Sequence, residues 1–309
     1  MMKGIKMKAN RLNKNDIIGV CAPSGFLKDK NKVELDIAEK RLNDLGLKVK
    51  YGKNIYSHSC GYSASTTEKT SDINNLINDK NIKSISFAKG GNNANSILDY
   101  IDYEGIKNNP KIFFGFSDNT ILLNAIYKKT KLVTYHFTNF KGLFESNIEF
   151  NKNQFIDAFI KGYKGIVKHN SKWKSLRKGV ATGKLIGGNL ATFAKLLNTK
   201  YCPNLKNNIL FIEDLAYEDS VEEVSSLLYL LKLNGVFDKI SGILIGNYDT
   251  KEEITLEDIV MEVTKDYKFP IIKCNDFGHT DTNIVLPIGL KCTLDANNCE
   301  LIFNEKTIK

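Results

Sequence analysis

The chain of 309 residues predicts an α/β fold: an N-terminal doubly wound parallel-sheet domain, then a smaller C-terminal α/β domain with a strand-rich, barrel-like core. Two observations carry this. Through the first half, short β-rich runs alternate with stretches of helical periodicity, the pattern of a parallel sheet covered by helices. The length also exceeds what one core usually fills, so the expected division is 1–145, a linker with a surface loop over 146–182, and 183–309.

Asp16 to Cys21 reads as a buried strand ending in the turn Ala22-Pro23-Ser24-Gly25. Val33 to Leu45 follows as a helix with Leu35, Ala38, Leu42 and Leu45 on one face. Leu47 to Tyr51 is the second strand, Thr67 to Asn78 a helix, and Ile82 to Ala88 a third strand running into Gly90-Gly91. The unit repeats with a short helix near Ala94 to Tyr100, a strand at Lys111 to Phe116, a helix at Asn119 to Lys129 and a strand at Leu132 to Tyr135. From Lys141 to Thr182 the periodicity fades into Lys, Asn and Gly, hence the linker. Gly183 to Gly188 then leads into a helix at Leu190 to Leu197, followed by a strand at Ile209 to Glu213 and a helix at Val221 to Leu233. Ile240 to Ile245 is another strand and Leu256 to Tyr267 another helix; the tail from Ile284 to Phe303 is strand-rich, with Asp295 to Asn298 as a hairpin turn.

Hydrophobic residues at 42% and charged residues at 26% are ordinary for a globular protein and exclude a disordered or fibrous one. The net charge of +9 comes from lysines scattered along the chain, whereas nucleic-acid binders cluster them, so a solvated surface and no nucleic-acid partner are expected. The densest basic run is Lys168 to Lys178, around Trp173. Six cysteines stand far apart with no CxxC pair and read as reduced thiols. No apolar stretch is long enough for a signal peptide or a membrane span, so a cytoplasmic location without a membrane partner is expected. No G-x-G-x-x-G or P-loop pattern supports a phosphate-binding module.

Ser117 follows the apolar run Ile112 to Phe114 and precedes a helical stretch, which presents it at the C-terminal edge of a sheet with first-turn amides facing any negative charge formed there. The elbow G-x-S-x-G is not satisfied, because Asn119 stands where its second Gly would be, and a serine here could equally cap the helix. A nucleophile needs a base. Of four histidines, His58 and His169 lie in polar loops and are expected to be exposed, His136 follows a strand and could be exposed or functional, and His279 sits in the turn Asn275 to Asp281 after the apolar strand Pro270 to Ile272. Glu213 ends the strand Ile209 to Glu213, where it could orient a histidine or simply cap or ion-pair. The Gly90-Gly91 turn can bring an amide close to a substrate, beside the amide of Asp118.

Together these stretches resemble the serine LD-carboxypeptidases and the related microcin C self-immunity proteins. The resemblance runs in order through Gly19-Val-Cys-Ala-Pro-Ser-Gly25, Gly90-Gly-Asn-Asn-Ala-Asn-Ser96 and Asn109-Pro-Lys-Ile-Phe-Phe-Gly-Phe-Ser-Asp118. It continues through Gly183-Lys-Leu-Ile-Gly-Gly-Asn-Leu190, Leu210-Phe-Ile-Glu-Asp214, Gly242-Ile-Leu-Ile-Gly246, Phe277-Gly-His-Thr280 and Leu286-Pro-Ile-Gly289. It implies Ser117 as nucleophile, His279 as general base and Glu213 as its orienting partner, with Gly90, Gly91, Asp118 and Asn92 around the oxyanion and substrate. It further implies a homodimer that works without metal or cofactor on a small peptide or peptidyl-nucleotide. The reaction implied is removal of a terminal D-amino acid from a muropeptide through an acyl-enzyme, or else hydrolysis of a peptidyl or aminoacyl nucleotide. Many LD-carboxypeptidases carry Arg before the Gly pair and Tyr-Gly after it, where this chain has Lys89 and Asn92-Asn93. The self-immunity branch uses an aromatic to stack on a nucleobase, and the evident candidate here is Trp173.

Overall fold

Parallel pairing follows from strands that are apolar on both faces and linked by helices. The computed structural model describes residues 7–216, 220–250 and 252–309; the basic N-terminal stretch 1–6 lies outside the described residues. In chain order the first sheet and its helices are β1 (Ile17–Cys21), α1 (Asn31–Asn43), β2 (Lys48–Tyr51), α2 (Thr66–Asn78), β3 (Ile82–Phe87), α3 (Tyr103–Asn108), β4 (Ile112–Gly115), α4 (Thr120–Thr130) and β5 (Thr134–His136). All five strands are parallel, in the spatial order β2-β1-β3-β4-β5. The chain steps outward from β1 to β2, then returns to the other side of β1 for β3. Right-handed crossovers therefore place helices on both faces, the doubly wound arrangement expected.

Local chemistry sets the helix ends. Ser65 and Glu68 form a reciprocal capping box at the start of α2, and Lys131 in the left-handed region ends α4. Helix α4 buries Ile121, Leu122, Leu123, Ala125 and Ile126, because it is covered by both sheets of the molecule.

Residues 146–182 are not a linker with a surface loop. They form α5 (Ile148–Phe155), a π-helical turn over Ile156–Lys161, and strands β6 (Gly165–Ile166) and β7 (Lys174–Arg177). The lysines that masked this face solvent, while Phe155, Phe159 and Trp173 are buried together with Asn151; Phe155 and Phe159 lie 6.0 and 5.5 Å from the Phe114 ring of β4. Three bulky rings driven inward are enough to fold a segment whose remaining composition looks like loop.

The second sheet adds β8 (Val180–Asn189), α6 (Leu190–Ala194), β9 (Ile209–Glu213), α7 (Val221–Leu233), β10 (Gly242–Ile245), α8 (Leu256–Val263) and β11 (Ile271–Lys273). Next come β12 (Leu286–Ile288), β13 (Lys291–Asp295) and β14 (Glu300–Phe303), the last two forming the hairpin expected around Asp295 to Asn298. The order is β6-β14-β13-β8-β9-β10-β11-β7, with β8 to β11 parallel and the flanking strands antiparallel. The strand-rich core is thus an open mixed sheet among the described residues and not a closed barrel. Strand β12 belongs elsewhere: it pairs antiparallel with β5, completing the first sheet. The chain therefore crosses from the second sheet back into the first. No helix among the described residues is long and apolar enough to cross a membrane.

Asn124 is the polar tie between the two halves. From the buried face of α4 its Nδ2 donates to the Gly187 carbonyl at 2.8 Å and its Oδ1 accepts from the Gly187 amide at 3.3 Å. Replacing Asn124 by Ala leaves both Gly187 groups buried without partners. A loss of about 2–4 kcal/mol is expected in urea unfolding; a midpoint and slope equal to wild type would show the tie to be dispensable.

Candidate active site

Ser117 sits where β4 gives way to α4, in a 3-10 turn over Ser117–Asn119, with φ of 60°. A serine in the left-handed region is sparsely populated, so the turn must be held by its surroundings. Asn139, just beyond β5, accepts through Oδ1 from the Phe116 amide at 3.1 Å and from Asn119 Nδ2 at 3.0 Å. Asn119 Nδ2 also donates to the Lys89 carbonyl at 3.0 Å, tying the turn to the loop after β3. The buried Asp118 carboxylate accepts from the Ser24 hydroxyl and from the Ala94 amide, the latter at 2.8 Å. Loops after β1, β3, β4 and β5 thus converge on one turn.

The Gly90-Gly91 turn packs directly on it. A Cβ placed on Gly90 would lie 2.8 Å from Ser117 Oγ, so no larger residue fits without displacing the hydroxyl. His279 arrives from the other sheet. Its Nδ1 is 2.7 Å from Glu213 Oε2, its amide donates to the same oxygen at 3.3 Å, and its carbonyl accepts from Asn247 Nδ2 at 2.8 Å. Burial drives the carboxyl of Glu213 upward most strongly, but the charge and hydrogen bonds of His279 and the charge of His136 together leave it below its ordinary value. Glu213 therefore stands as the carboxylate that a histidine Nδ1–H requires.

Ser117 and His279 both line one cavity of about 470 Å³, together with Lys89, Gly90, Gly91, Phe116, Asn139 and Lys141. The expected Ser117, His279, Gly90 and Gly91 come together there, with Glu213 behind His279. Asp118 is adjacent but turns its side chain into the fold. Two expected contacts are absent: Asn92 is exposed and outside the cavity lining, and Trp173 is buried, donating from Nε1 to Asp276 Oδ2 at 2.8 Å. Trp173 supports the loop ahead of His279; it offers no face to a ligand in this cavity. Asn119 and Asn139 were missed by sequence reasoning. The available signal was position, since both follow the C-terminal ends of parallel strands.

A serine-bearing turn and a histidine–carboxylate pair, delivered to one cleft by two α/β sheets, define the class of protein. Residues 18–137 match the LD-carboxypeptidase N-terminal domain and residues 182–294 the LD-carboxypeptidase C-terminal domain. The chain belongs to the LD-carboxypeptidase family, peptidase S66. It is 30% identical to the microcin C7 self-immunity protein MccF of Escherichia coli, covering 84% of this chain and 85% of that one. It is 29% identical to a Bacillus subtilis protein named probable murein peptide carboxypeptidase, over 96% and 94% of the two chains. The structure of MccF in complex with aspartyl sulfamoyl adenosine superposes with a TM-score of 0.89 at 28% identity, covering 98% of this chain and all of that one, 100%. A muramoyltetrapeptide carboxypeptidase from Oxalobacter formigenes shares the fold, with a TM-score of 0.77 at 21% identity over 92% and 97% of the chains.

His136 lies beneath this arrangement, fully buried among the rings of Phe116, Phe211 and Phe277 at 6.0, 5.4 and 5.8 Å, with no hydrogen-bond partner for either ring nitrogen among the described residues. Burial, with a smaller opposing pull from Glu213, lowers its pKa to about 4. Between that value and the ordinary 6.5 of an unfolded chain, the unfolded state holds the extra proton, so stability falls as pH drops from 6.5 towards 4. The full effect is about 3 kcal/mol. Urea unfolding at pH 7 and pH 4.5 should show His136→Phe losing less stability than wild type over this interval; identical losses would mean that His136 does not titrate between the two states.

Proposed function

We propose that this protein is a serine carboxypeptidase of the LD type, which removes a terminal D-amino acid from a muropeptide through an acyl-enzyme on Ser117. The observation that carries the reading is the meeting of Ser117 with the Glu213–His279 pair in one cavity. Ser117 Oγ attacks the scissile carbonyl carbon while His279 Nε2 takes its proton, and Glu213 holds Nδ1–H and balances the imidazolium. The tetrahedral oxyanion forms against the amides of Asp118 and the Gly90-Gly91 turn. Collapse expels the D-amino acid, whose nitrogen receives the proton from His279. Water, deprotonated by the same histidine, then frees the enzyme. Cytoplasmic action as a homodimer belongs to the same proposal, with sedimentation velocity to decide the assembly.

Hydrolysis of an aminoacyl or peptidyl nucleotide is the second reading, favoured by the likeness to MccF, whose solved complexes hold aspartyl sulfamoyl adenosine and glutamyl sulfamoyl guanosine. The burial of Trp173 removes the aromatic that would have stacked on the base in this chain.

Ser117→Ala should lower turnover of a murein tetrapeptide at least ~10³-fold with the fold intact by circular dichroism, and prevent labelling by a fluorophosphonate. Turnover surviving that substitution would end the serine mechanism. Release of amino acid from an aminoacyl-nucleotide analogue but no D-alanine from the tetrapeptide would transfer the site to the second reading. Gly90→Ala tests the close approach independently. The added methyl meets Ser117 Oγ, so kcat should fall at least ~10-fold with little change in unfolding midpoint; an unchanged kcat would separate the Gly-Gly turn from catalysis.

A further inference from the structure

Two lysines line the cavity, Lys141 paired with Glu34 and Lys89 with no counter-ion among the described residues. Lys89, half-buried, lines it beside Gly90, Gly91 and Ser117 and forms no ion pair among the described residues. Its side chain runs along the loop after β1, where a Cβ on Gly25 would lie 3.3 Å from Lys89 Cε. The acid whose charge acts on it is committed elsewhere: Glu34 Oε1 pairs with Lys141 Nζ at 3.0 Å and Glu34 Oε2 accepts from Asn31 Nδ2 at 2.6 Å. Burial foremost, and then the like charges of Lys141, Lys28 and Lys30, lower its pKa against the opposing charge of Glu34. The two carboxylates that reach the cavity, Glu145 and Asp281, are exposed and make no ion pair with it.

Place in the fold gives this a meaning. Lys89 follows β3 and Lys28 follows β1, and it is between β1 and β3 that the strand order reverses. Open α/β sheets bind ligands in the crevice beyond the strand ends at such a switch point. A partly desolvated ammonium without a partner costs free energy that an anion would recover.

We infer that Lys89 is the centre of an anion subsite within the cavity, holding the free terminal carboxylate of the peptide whose last bond Ser117 attacks. The inference rests on the reading of Ser117 given above and adds to it a reason for exo-cleavage: a charge fixed one residue beyond the scissile bond selects chain ends. A phosphoryl or sulfamoyl group of a nucleotide ligand offers the same class of partner.

The test uses the Ser117→Ala protein, so that ligands bind without turnover, and reads affinity by calorimetry for three ligands: a tetrapeptide ending in D-alanine as the free acid, the same peptide as its C-terminal amide, and an aminoacyl sulfamoyl adenosine. The free acid should bind at least ~10-fold tighter than the amide, a comparison that needs no change at Lys89. Adding Lys89→Met should abolish that preference while leaving the amide unaffected, and Lys89→Arg should restore it. Loss confined to the sulfamoyl ligand would place the nucleotide group at the subsite. Equal binding of acid and amide, with the sulfamoyl ligand indifferent to Lys89→Met, would overturn the inference, as would a uniform loss for all three. Failure of the serine reading shows separately, as turnover by the Ser117→Ala protein.

Discussion

Glu213 is sealed from solvent at the end of β9, and a carboxylate in that position would be untenable alone. What makes it tolerable is His279, which meets Oε2 twice, with its ring and with its backbone amide. The demands of that contact spread outward. Gly278 has φ of 104°, and a Cβ there would fall 2.7 Å from Glu213 Oε2, so the chain can approach the carboxylate only with a glycine before the histidine. Asn283 Oδ1 accepts from the Gly278 amide at 3.1 Å, and the Asn283 amide donates to Asn151 Oδ1 on α5 at 2.8 Å. Asn151 Nδ2 in turn donates to the Asp281 carbonyl at 2.8 Å. The histidine loop is thus fastened to the helix that composition alone had marked as linker.

The same loop joins the sheets. Seven residues after His279 the chain enters β12, whose Leu286 pairs with His136 on β5 of the first sheet. His136 is next to Gly115 in register, and Phe116 lies with its ring 4.8 Å from that of His279. A continuous path of backbone pairing and aromatic packing therefore runs from the serine turn to the histidine, although they end different sheets. Such a path favours a cleft of fixed geometry over one assembled by free movement of two bodies, since packed aromatic interfaces do not deform continuously. The helix α4 that follows Ser117 adds the Asn124 contact to Gly187 of β8.

Much of this was legible in the sequence because periodicity reports burial directly. Ile17–Cys21 and Ile209–Glu213 are apolar on both faces, Ile82–Phe87 sets Ile and Phe among buried serines, and the expected bounds of each agree with the structure to within a residue at either end; those of Val221–Leu233 agree to the residue. Position at strand ends also pointed to Ser117, Glu213 and His279, which the fold brings to one place. Two kinds of information were absent. Periodicity does not show which sheet a short strand joins, so Leu286–Ile288 looked like part of its neighbours in the chain. Residue type does not show direction: Trp173, polar at one edge and apolar elsewhere, suits a ligand platform by type, whereas in the fold its Nε1 donates to the buried Asp276. Composition failed over 146–182 for a related reason: a few buried rings outweigh many exposed lysines in free energy but not in number.

The departure at Asn119 illustrates how a local rule yields to a wider one. In the elbow pattern, a glycine two residues after the serine keeps the turn uncrowded. In this chain the crowding is relieved from the opposite side, because the turn that presses on Ser117 Oγ contributes Gly90. Position 119 is then available for a side chain, and an amide is well suited to it: one NH₂ reaches both the Lys89 carbonyl and Asn139 Oδ1 at 3.0 Å, joining the loop before the Gly pair to the turn it must face. A glycine at 119 would remove that brace and leave Ser117 at φ 60° with less to hold it. The asparagine that weakens the motif as a pattern strengthens it as a structure, and it does so by tying Lys89, the cavity's cation outside any ion pair among the described residues, to the serine turn.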